Sequence, residues 1–336
     1  MYNLKVHKKL INRKVLAQAL EKYLPKEKIK RYKIISRGWD DINIEIHTRT
    51  KHLVLRFYSL EKMVRPRLKN DILYCLEFME YLGKNEIPTP KIYRSINDSF
   101  LISIRLGTNK HFVSLSSFVP GKNIENYTKD KIRKIARLQA GIHKLSKSFK
   151  PKRQSSLGGM FDYKAWYSDC KSSLPTNHKY KSLLQKLEEY IKKSLASLQP
   201  GSVNQEHMIV IHGDISNENL HFLDSKIAGI FDFEDCHKGT ISEDIGCFFS
   251  SYLSDLSTRE MQMRINHYFE AYRKVFELVR KDVLSSLRYC ILKWAVTQYY
   301  FNTNDILEGR SLNTKENKQH NKQTSENVKN LNAVLC

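Results

Sequence analysis

Residues 211–235, IHGDISNENLHFLDSKIAGIFDFED, constrain the fold more than any other part of this 336-residue chain. Two short apolar runs, LHFL and IAGIFD, are separated by the polar residues 224–226, and this pattern predicts a β-hairpin. The turn lies midway between Asn219 and Asp232, so antiparallel pairing is expected to bring these two side chains to the same open end.

The polar side chains of this segment suit phosphoryl transfer. The side-chain oxygens of Asn219 and Asp232 are hard ligands of the kind that Mg²⁺ takes together with substrate phosphates. Asp214 lies on the loop before the hairpin, where it can accept a proton from an attacking hydroxyl. We therefore predict Asp214 as the catalytic base and Asn219 and Asp232 as metal ligands.

The pattern H-G-D-x-x-x-x-N, followed by an apolar strand that ends in D-F, resembles the core of the aminoglycoside phosphotransferase and choline kinase-like family. These small-molecule kinases share the protein kinase-like fold and include type II homoserine kinases. Gly213, where protein kinases have arginine, and Glu234 after the D-F pair point to the small-molecule branch. The resemblance extends over roughly residues 12–305 and is most specific at 211–246.

This resemblance implies an α+β, bilobal protein kinase-like fold. We expect a small antiparallel-sheet N-lobe at 1–118, a larger and mostly helical C-lobe at 119–307, and ATP in the cleft between them. It also implies ATP- and Mg²⁺-dependent transfer of the γ-phosphate to a hydroxyl of a small molecule. The polar segment 308–336 lacks aromatic residues and is predicted to be a disordered tail.

The resemblance also implies two supporting residues around the catalytic loop. His212 is expected to pack under the loop and to bond its backbone. Asp244, in the segment SEDIG, is expected to bond the backbone of the same loop without touching substrate. A helix N-cap is the alternative role for Asp244.

In the N-lobe, alternating apolar residues at 42–46 and 53–57 predict strands. Arg56 interrupts the second of them and faces the other side, where the family holds the nucleotide phosphates; a surface-facing strand arginine is the alternative. The turn at Gly38 is expected to cover the phosphates, unless it is a plain hairpin turn. Backbone groups near Ser117 and Val119 are expected to bind the adenine.

One departure from the family pattern concerns the helix at 68–83. Its members place a glutamate there to orient the basic strand residue, and in this chain that position falls on Cys75. Either Asp71, one turn earlier, takes its place, or the ion pair is rearranged. Glu77 is expected to be a solvated charge.

Composition narrows the remaining choices. The net charge of +22 is spread along the chain rather than gathered in one block, so no specific nucleic-acid partner is expected. No apolar run approaches the roughly 20 residues that span a bilayer. With no evident secretory signal and six scattered cysteines, we expect a cytoplasmic protein with reduced thiols.

The acceptor carries no motif of its own. The helices near 260–290 are mixed to basic, which favours an amino-alcohol or homoserine-like metabolite over a polycationic aminoglycoside antibiotic. Arg56, where protein kinases use lysine, and the missing helix glutamate keep a non-catalytic nucleotide-binding regulator open as an alternative. A basic nucleic-acid binder is a third possibility.

Overall fold

A computed structural model describes residues 10–35, 41–60, 67–156, 163–176, 178–198 and 208–335. The chain divides into two compact units. The first comprises Met1–Gly121, Lys150–Ser156 and Ala228–Glu234, and the second comprises Lys122–Phe149, Leu157–Ile227 and Asp235–Cys336. The first boundary lies three residues from the predicted division at 118, but the chain then returns twice to the first unit.

The first unit is built on a six-stranded antiparallel sheet. Strand β6 pairs with β3 along one edge and with β4 and β5 along the other, and β2 and β1 extend the sheet beyond β3. The strands are β1 (Arg31–Ile35), β2 (Ile42–His47), β3 (His52–Tyr58), β4 (Ile92–Tyr93), β5 (Ile102–Leu106) and β6 (Asn109–Ser117), and the helices are α1 (Arg13–Glu21) and α2 (Lys69–Lys84).

Side-chain alternation decides which face of this sheet is buried. The odd–even pattern of β2 and β3 places apolar residues on one face, where they form a single core with Leu16 and Leu20 of α1. The opposite face carries mainly polar side chains. On that face Arg56 lies directly across from Asn43 in the pairing of β3 with β2.

The second unit is mostly helical. Helix α3 begins after Thr128 and α6 after Thr240, and each of these side chains caps its helix by accepting a backbone N–H bond. The helices are α3 (Lys129–Ser146), α4 (Tyr163–Ser173), α5 (Lys181–Ser197), α6 (Ile241–Tyr252), α7 (Thr258–Tyr272), α8 (Arg280–Leu307) and α9 (Lys315–Leu335).

The chain also forms four further short strands, and residues 228–230 of the third belong to the first unit. Strand β7 (Met208–Ile211) pairs antiparallel with β10 (His237–Thr240), and β8 (Leu220–Leu223) pairs with β9 (Lys226–Ile230). A 3₁₀ turn follows β9 at Phe233–Asp235. The predicted hairpin is thus present.

The hairpin closes through a two-residue turn. Asp224 and Ser225 both adopt positive φ, 48° and 65°. Positive φ at both central residues is the signature of the type I′ turn, whose twist matches that of paired strands. The turn therefore fixes the register of the segment between the predicted metal ligands.

Within the described residues, the five cysteines are free and buried, as expected for reduced thiols; they are Cys75, Cys170, Cys236, Cys247 and Cys290. Among the helices that are described, none combines the length and the apolar character needed to cross a bilayer.

The prediction of a disordered tail is wrong for residues 315–335, which form helix α9. Val328 and Leu331 are fully buried, and the amides of Asn321 and Asn302 of α8 bond each other at 2.7 Å. The buried face is therefore largely made of amide and hydroxyl side chains, which the polar composition concealed. The amides of Asn302 and Asn321 bond each other, and Oδ1 of Asn327 accepts the N–H of Asp255, so a polar helix can pack here.

Leu331→Ala is expected to lower the free energy of unfolding by about 2–5 kcal/mol, because it leaves a cavity beneath α9. Urea denaturation measures this loss. The control is Lys329→Ala, on the exposed face, which should stay within about 0.5 kcal/mol of the parent. Equal stabilities of the two variants would show that α9 does not pack as described.

Candidate active site

Asp214 lies on the loop between β7 and β8, and both of its carboxylate oxygens have partners. The amide nitrogen of Asn219 donates to Oδ2 at 2.9 Å and to the backbone oxygen of Asp214 at 2.8 Å. The ammonium of Lys293, on α8, lies 3.3 Å from Oδ1. With about a third of its side chain exposed, Asp214 is held in one orientation yet remains open to an acceptor.

Lys293 keeps its positive charge in this half-buried position. Burial opposes the charge, but Cys247 and the carboxylates of Asp214 and Asp235 together raise the pKa of Lys293 above its ordinary value. Burial raises the pKa of the Cys247 thiol to about 12, so that thiol is neutral near pH 7 and the carboxylates hold the lysine charged. An ammonium therefore stands beside Asp214 throughout the neutral range.

The loop around Asp214 is fixed from below by Asp244. The backbone N–H of Gly213 donates to Oδ1 of Asp244 at 2.7 Å, while Gln139 and His143 of α3 both contact Oδ2 at 2.8 Å. This backbone contact is the one expected of Asp244. The N-cap alternative does not hold, since Thr240 caps α6. Although burial opposes ionisation of Asp244, bonds from His143 and Gln139 lower its pKa to about 2.

Gly213 has a geometric reason to be glycine. Its φ is 82°, and a Cβ at this position would lie 2.5 Å from the carbonyl oxygen of Asp235. No side chain fits such an approach without moving the backbone. His212 beside it is fully buried, and its Nδ1 accepts the N–H of Asp214 at 3.3 Å.

A second polar cluster lies in the first unit, around Arg56. Its guanidinium contacts Asp41 at 2.7 Å, Asp232 at 2.9 Å and Glu234 at 2.9 Å. Arg67, whose side chain is almost fully buried, also pairs with Asp41, at 3.1 Å, and with Glu234. The alternative of a surface-facing strand arginine is excluded by these contacts.

The charges of this cluster stabilise one another. Burial opposes the charge of Arg56, but Asp232, Asp41 and Glu234 raise its pKa well above the ordinary value. Burial likewise opposes ionisation of Glu234, and Arg56 and Arg67 lower its pKa. Asp232 takes part from a left-handed backbone conformation, φ 66°, which is unusual for a residue other than glycine.

Helix α2 supplies no carboxylate to Arg56 among the described residues. The carboxylate of Asp71 instead bonds Ser155 and Ser156 and caps its own helix through the N–H of Leu68. Glu77, expected to be solvated, pairs with Arg153. The missing helix glutamate is therefore explained by a rearranged ion pair, and not by replacement with Asp71.

Besides Arg56, the residues predicted to bind nucleotide are Gly38, Ser117 and Val119. Gly38 lies outside the described residues. The N–H of Ser117 donates to the carbonyl oxygen of Lys91 at 2.9 Å and so is not available to a base. Val119 packs against Gly229, where a Cβ would come within 2.6 Å of its side chain. Adenine contacts at Ser117 and Val119 stay a prediction.

Sequence reasoning missed Lys293, Asp41 and Arg67. Lys293 left one signal, a lone charge within the apolar run CILKWAV. Asp41 and Arg67 left none, because their ion pairs join residues that are far apart in sequence.

A family model, described as the phosphotransferase enzyme family, matches residues 31–278. The matched region covers most of the chain and includes the Arg56 cluster and Asp214, Asn219 and Asp244, whereas Lys293 lies beyond it. The chain therefore belongs to the phosphotransferase enzyme family.

Individual relatives are more distant. A homoserine kinase of Bartonella tribocorum is 22% identical over 277 residues, which cover 81% of this chain and 82% of that enzyme. Among solved structures, the amicoumacin kinase hAmiN in complex with AMP-PNP, Ca²⁺ and Ami has a TM-score of 0.71 at 13% identity, covering 97% of this chain and 96% of the other. A microcompartment-associated aminopropanol kinase has a TM-score of 0.68 at 15% identity, with 96% of each chain covered.

These comparisons confirm the predicted α+β protein kinase-like fold, with an antiparallel sheet in the N-terminal region and a helical C-terminal part. They also confirm the predicted class of enzyme, a small-molecule phosphotransferase that acts on hydroxyl groups. The regulator alternative is thereby set aside. The roles of individual site residues stay predictions.

Arg56→Ala is expected to lower the free energy of unfolding by about 3 kcal/mol, because it leaves Asp41 and Glu234 with Arg67 alone in a buried setting. Urea denaturation measures the change. Arg105→Ala, on the exposed side of β5, is the control and should alter stability by no more than about 0.5 kcal/mol. An Arg56→Ala protein as stable as the control would contradict the buried ion cluster.

Asp244→Asn is expected to remove a pH dependence. The lowered pKa of Asp244 means that its ionised form contributes stability above about pH 4, and that this contribution is lost as the pH falls toward about 2. The span corresponds to roughly 2 kcal/mol. Unfolding free energies between pH 2 and 7 should therefore fall less steeply below pH 4 in Asp244→Asn than in the parent. Asp130→Asn, an exposed carboxylate, should retain the parent slope.

Proposed function

We propose that this enzyme transfers the γ-phosphate of ATP to the hydroxyl of a small amino-alcohol or homoserine-like metabolite, with Mg²⁺ as cofactor. The observation that carries the proposal is the arrangement of Asp214 between the amide of Asn219 and the ammonium of Lys293. A carboxylate oriented on both oxygens, and partly exposed, can receive the proton of an attacking hydroxyl.

In this proposal the chain supplies position and charge rather than covalent chemistry, as is general for phosphoryl transfer. Asp214 orients the acceptor hydroxyl and takes its proton. Asn219 and Lys293 keep the carboxylate of Asp214 in one orientation. Asp244 holds the loop backbone through Gly213 and touches neither substrate.

Asn219 and Asp232 each offer an oxygen donor to the divalent metal that we propose. Asn219 uses its amide nitrogen for both bonds to Asp214. Its side-chain carbonyl oxygen therefore points away from Asp214 and can serve as a metal ligand. Asp232 offers a carboxylate, of which Oδ1 contacts Arg56. Both are hard oxygen donors of the kind that Mg²⁺ prefers. When bound, the metal would neutralise charge on the phosphates.

Arg56 takes a more limited part than the family pattern suggests. Its guanidinium contacts three carboxylates, and its main role is to hold one of them, that of Asp232, in position. A direct contact with a phosphate requires it to exchange one of these partners. We therefore assign Arg56 to the nucleotide side of the reaction through Asp232.

Lys293 favours a small acceptor with a carboxylate of its own. An ammonium next to the catalytic base repels a polycation such as an aminoglycoside and attracts an acid. An ammonium has three donors, so Lys293 can contact an acceptor carboxylate while it keeps its bond to Asp214. The homoserine kinase relatives are consistent with this choice, since homoserine carries a carboxylate, an amine and a hydroxyl.

Turnover with ATP and Mg²⁺ should therefore be highest for homoserine in a panel that also contains an aminopropanol, choline and an aminoglycoside. Asp214→Asn should lower kcat by about 10²–10⁴ with little change in the KM for ATP, because it removes only the proton acceptor. ADP release measured for each acceptor tests both statements. Full activity of Asp214→Asn would overturn the assignment of the base.

The variant Lys293→Met tests the preference for a carboxylate-bearing acceptor separately from the phosphoryl transfer reaction. The variant should raise the KM for homoserine at least about tenfold more than the KM for an aminopropanol, which lacks a carboxylate; tenfold corresponds to about 1.4 kcal/mol of lost interaction. An equal effect on both acceptors would leave Lys293 as a partner of Asp214 alone. It would count against a carboxylate-bearing substrate.

A further inference from the structure

Three side chains converge on the polar face of the first unit's sheet, away from the Arg56 cluster. The Nε2 atoms of His47 and His52 lie 2.9 Å and 2.8 Å from the same oxygen, Oε1 of Glu45. All three side chains are half-buried, and their ligand atoms lie within 4.8 Å of one another. The two histidines and the glutamate are called the Glu45 triad below.

The β2–β3 hairpin places the triad by its register. His47 and His52 are direct partners across the two strands, and Glu45 lies two residues from His47 on the same face. The backbone oxygen of His47 accepts from Lys30, and that of His52 from Phe118. Both oxygens therefore point outward, away from the partner strand, and in such a non-hydrogen-bonded pair the facing side chains approach most closely.

The two imidazole rings are held in place before any ligand arrives. Their centroids are 3.9 Å apart in a stacked arrangement, and the ring of Phe118 stacks on the other side of His52 at 3.8 Å. At the hairpin end, the N–H of Thr48 bonds the carbonyl oxygen of Lys51. Little conformational entropy therefore remains to be lost when a ligand binds the triad.

We propose that the Glu45 triad binds a divalent transition-metal ion of the zinc class. Two imidazole nitrogens and one carboxylate oxygen suit Zn²⁺, Co²⁺ or Ni²⁺, and not Mg²⁺ or Ca²⁺, which take oxygen ligands. Tetrahedral ligands about 2.1 Å from an ion lie about 3.4 Å apart, so the two N–O distances need to lengthen by only about half an ångström. Three protein ligands leave the fourth position to water.

Cationic neighbours limit the affinity of this site. In the pairing of β1 with β2, Arg31 is the partner of His47 and Lys33 is the partner of Glu45, so both share the face of the triad. Both are exposed on long side chains and can turn toward solvent. We therefore expect moderate affinity and an open, exchangeable site, unlike the closed sites that hold structural zinc.

The triad is separate from the proposed reaction. His52 and Arg56 lie on the same face of β3 but four residues apart, about 13 Å along the strand. The triad also uses nitrogen ligands, which the proposed Mg²⁺ ligands Asn219 and Asp232 lack. Metal binding at the triad can therefore be tested without any measurement of phosphoryl transfer.

The test is a titration of the full, metal-free chain with Co²⁺, whose intense visible absorption reports four-coordinate, tetrahedral ligation, followed by competition with Zn²⁺. One ion per chain is expected at the triad. His47→Ala and His52→Ala should each weaken binding by at least about 10–100-fold, the loss that removal of even an outer partner of a ligand causes. Glu45→Gln, which keeps the shape of the side chain, should also weaken binding and serves if a histidine variant fails to fold.

The control is His320→Ala, which removes an exposed histidine of α9 and should leave the titration unchanged. A parent chain that gives no Co²⁺ spectrum would overturn the proposal and leave the triad as a hydrogen-bonded cluster. Binding that survives both Glu45→Gln and His52→Ala would overturn it as well, because the ion would then be bound elsewhere. Excess Mg²⁺ should not displace the Co²⁺.

Discussion

The candidate active site depends on one buried carboxylate. Asp244 is fully buried, yet it stays ionised because His143 and Gln139 bond one oxygen and the backbone of Gly213 bonds the other. An unpaired charge at this depth would cost several kcal/mol, so the partners and the carboxylate require one another. Since Gly213 directly precedes Asp214, the same bond that satisfies Asp244 fixes the backbone of the catalytic loop.

Two further contacts set the environment of Asp214 on this fixed loop. The five-residue spacing to Asn219 lets the amide turn back onto the carboxylate, and α8 brings Lys293 to its other oxygen. The ammonium lies in a half-buried position, where an interaction between charges is screened less than on the surface. The loop geometry and the local charge are thus set by different elements. The acceptor preference that we propose rests on the local charge, which comes from Lys293 of α8.

Local sequence was sufficient where the contacts are local. The hairpin came from apolar runs on either side of a turn and is present, whereas the roles expected of Asp214 and Asn219 came from a spacing of five residues and stay predictions. Prediction from local sequence failed where the contacting residues are far apart in the chain or where the buried side chains are polar. Glu234 lies 178 residues from Arg56, so no pattern joined them. Helix α9 buries amides as well as apolar side chains, so its composition resembled that of a solvated tail although Leu331 is fully buried.

Two departures from the family pattern explain each other. The strand carries arginine where kinases of this fold use lysine, and the helix carries Cys75 where they use glutamate. A guanidinium presents donors in a planar fork and can bind several carboxylates at once, which a lysine ammonium does less well. Arg56 accordingly takes Glu234, from the segment after Asp232, in place of a helix glutamate, and the thiol of Cys75 lies 3.8 Å from the backbone oxygen of Glu234. The ion pair has therefore moved from the helix to the segment that carries Asp232 and Glu234. The substitution Arg56→Lys alone would therefore leave the carboxylates of Asp232 and Glu234 with fewer hydrogen-bond donors at position 56.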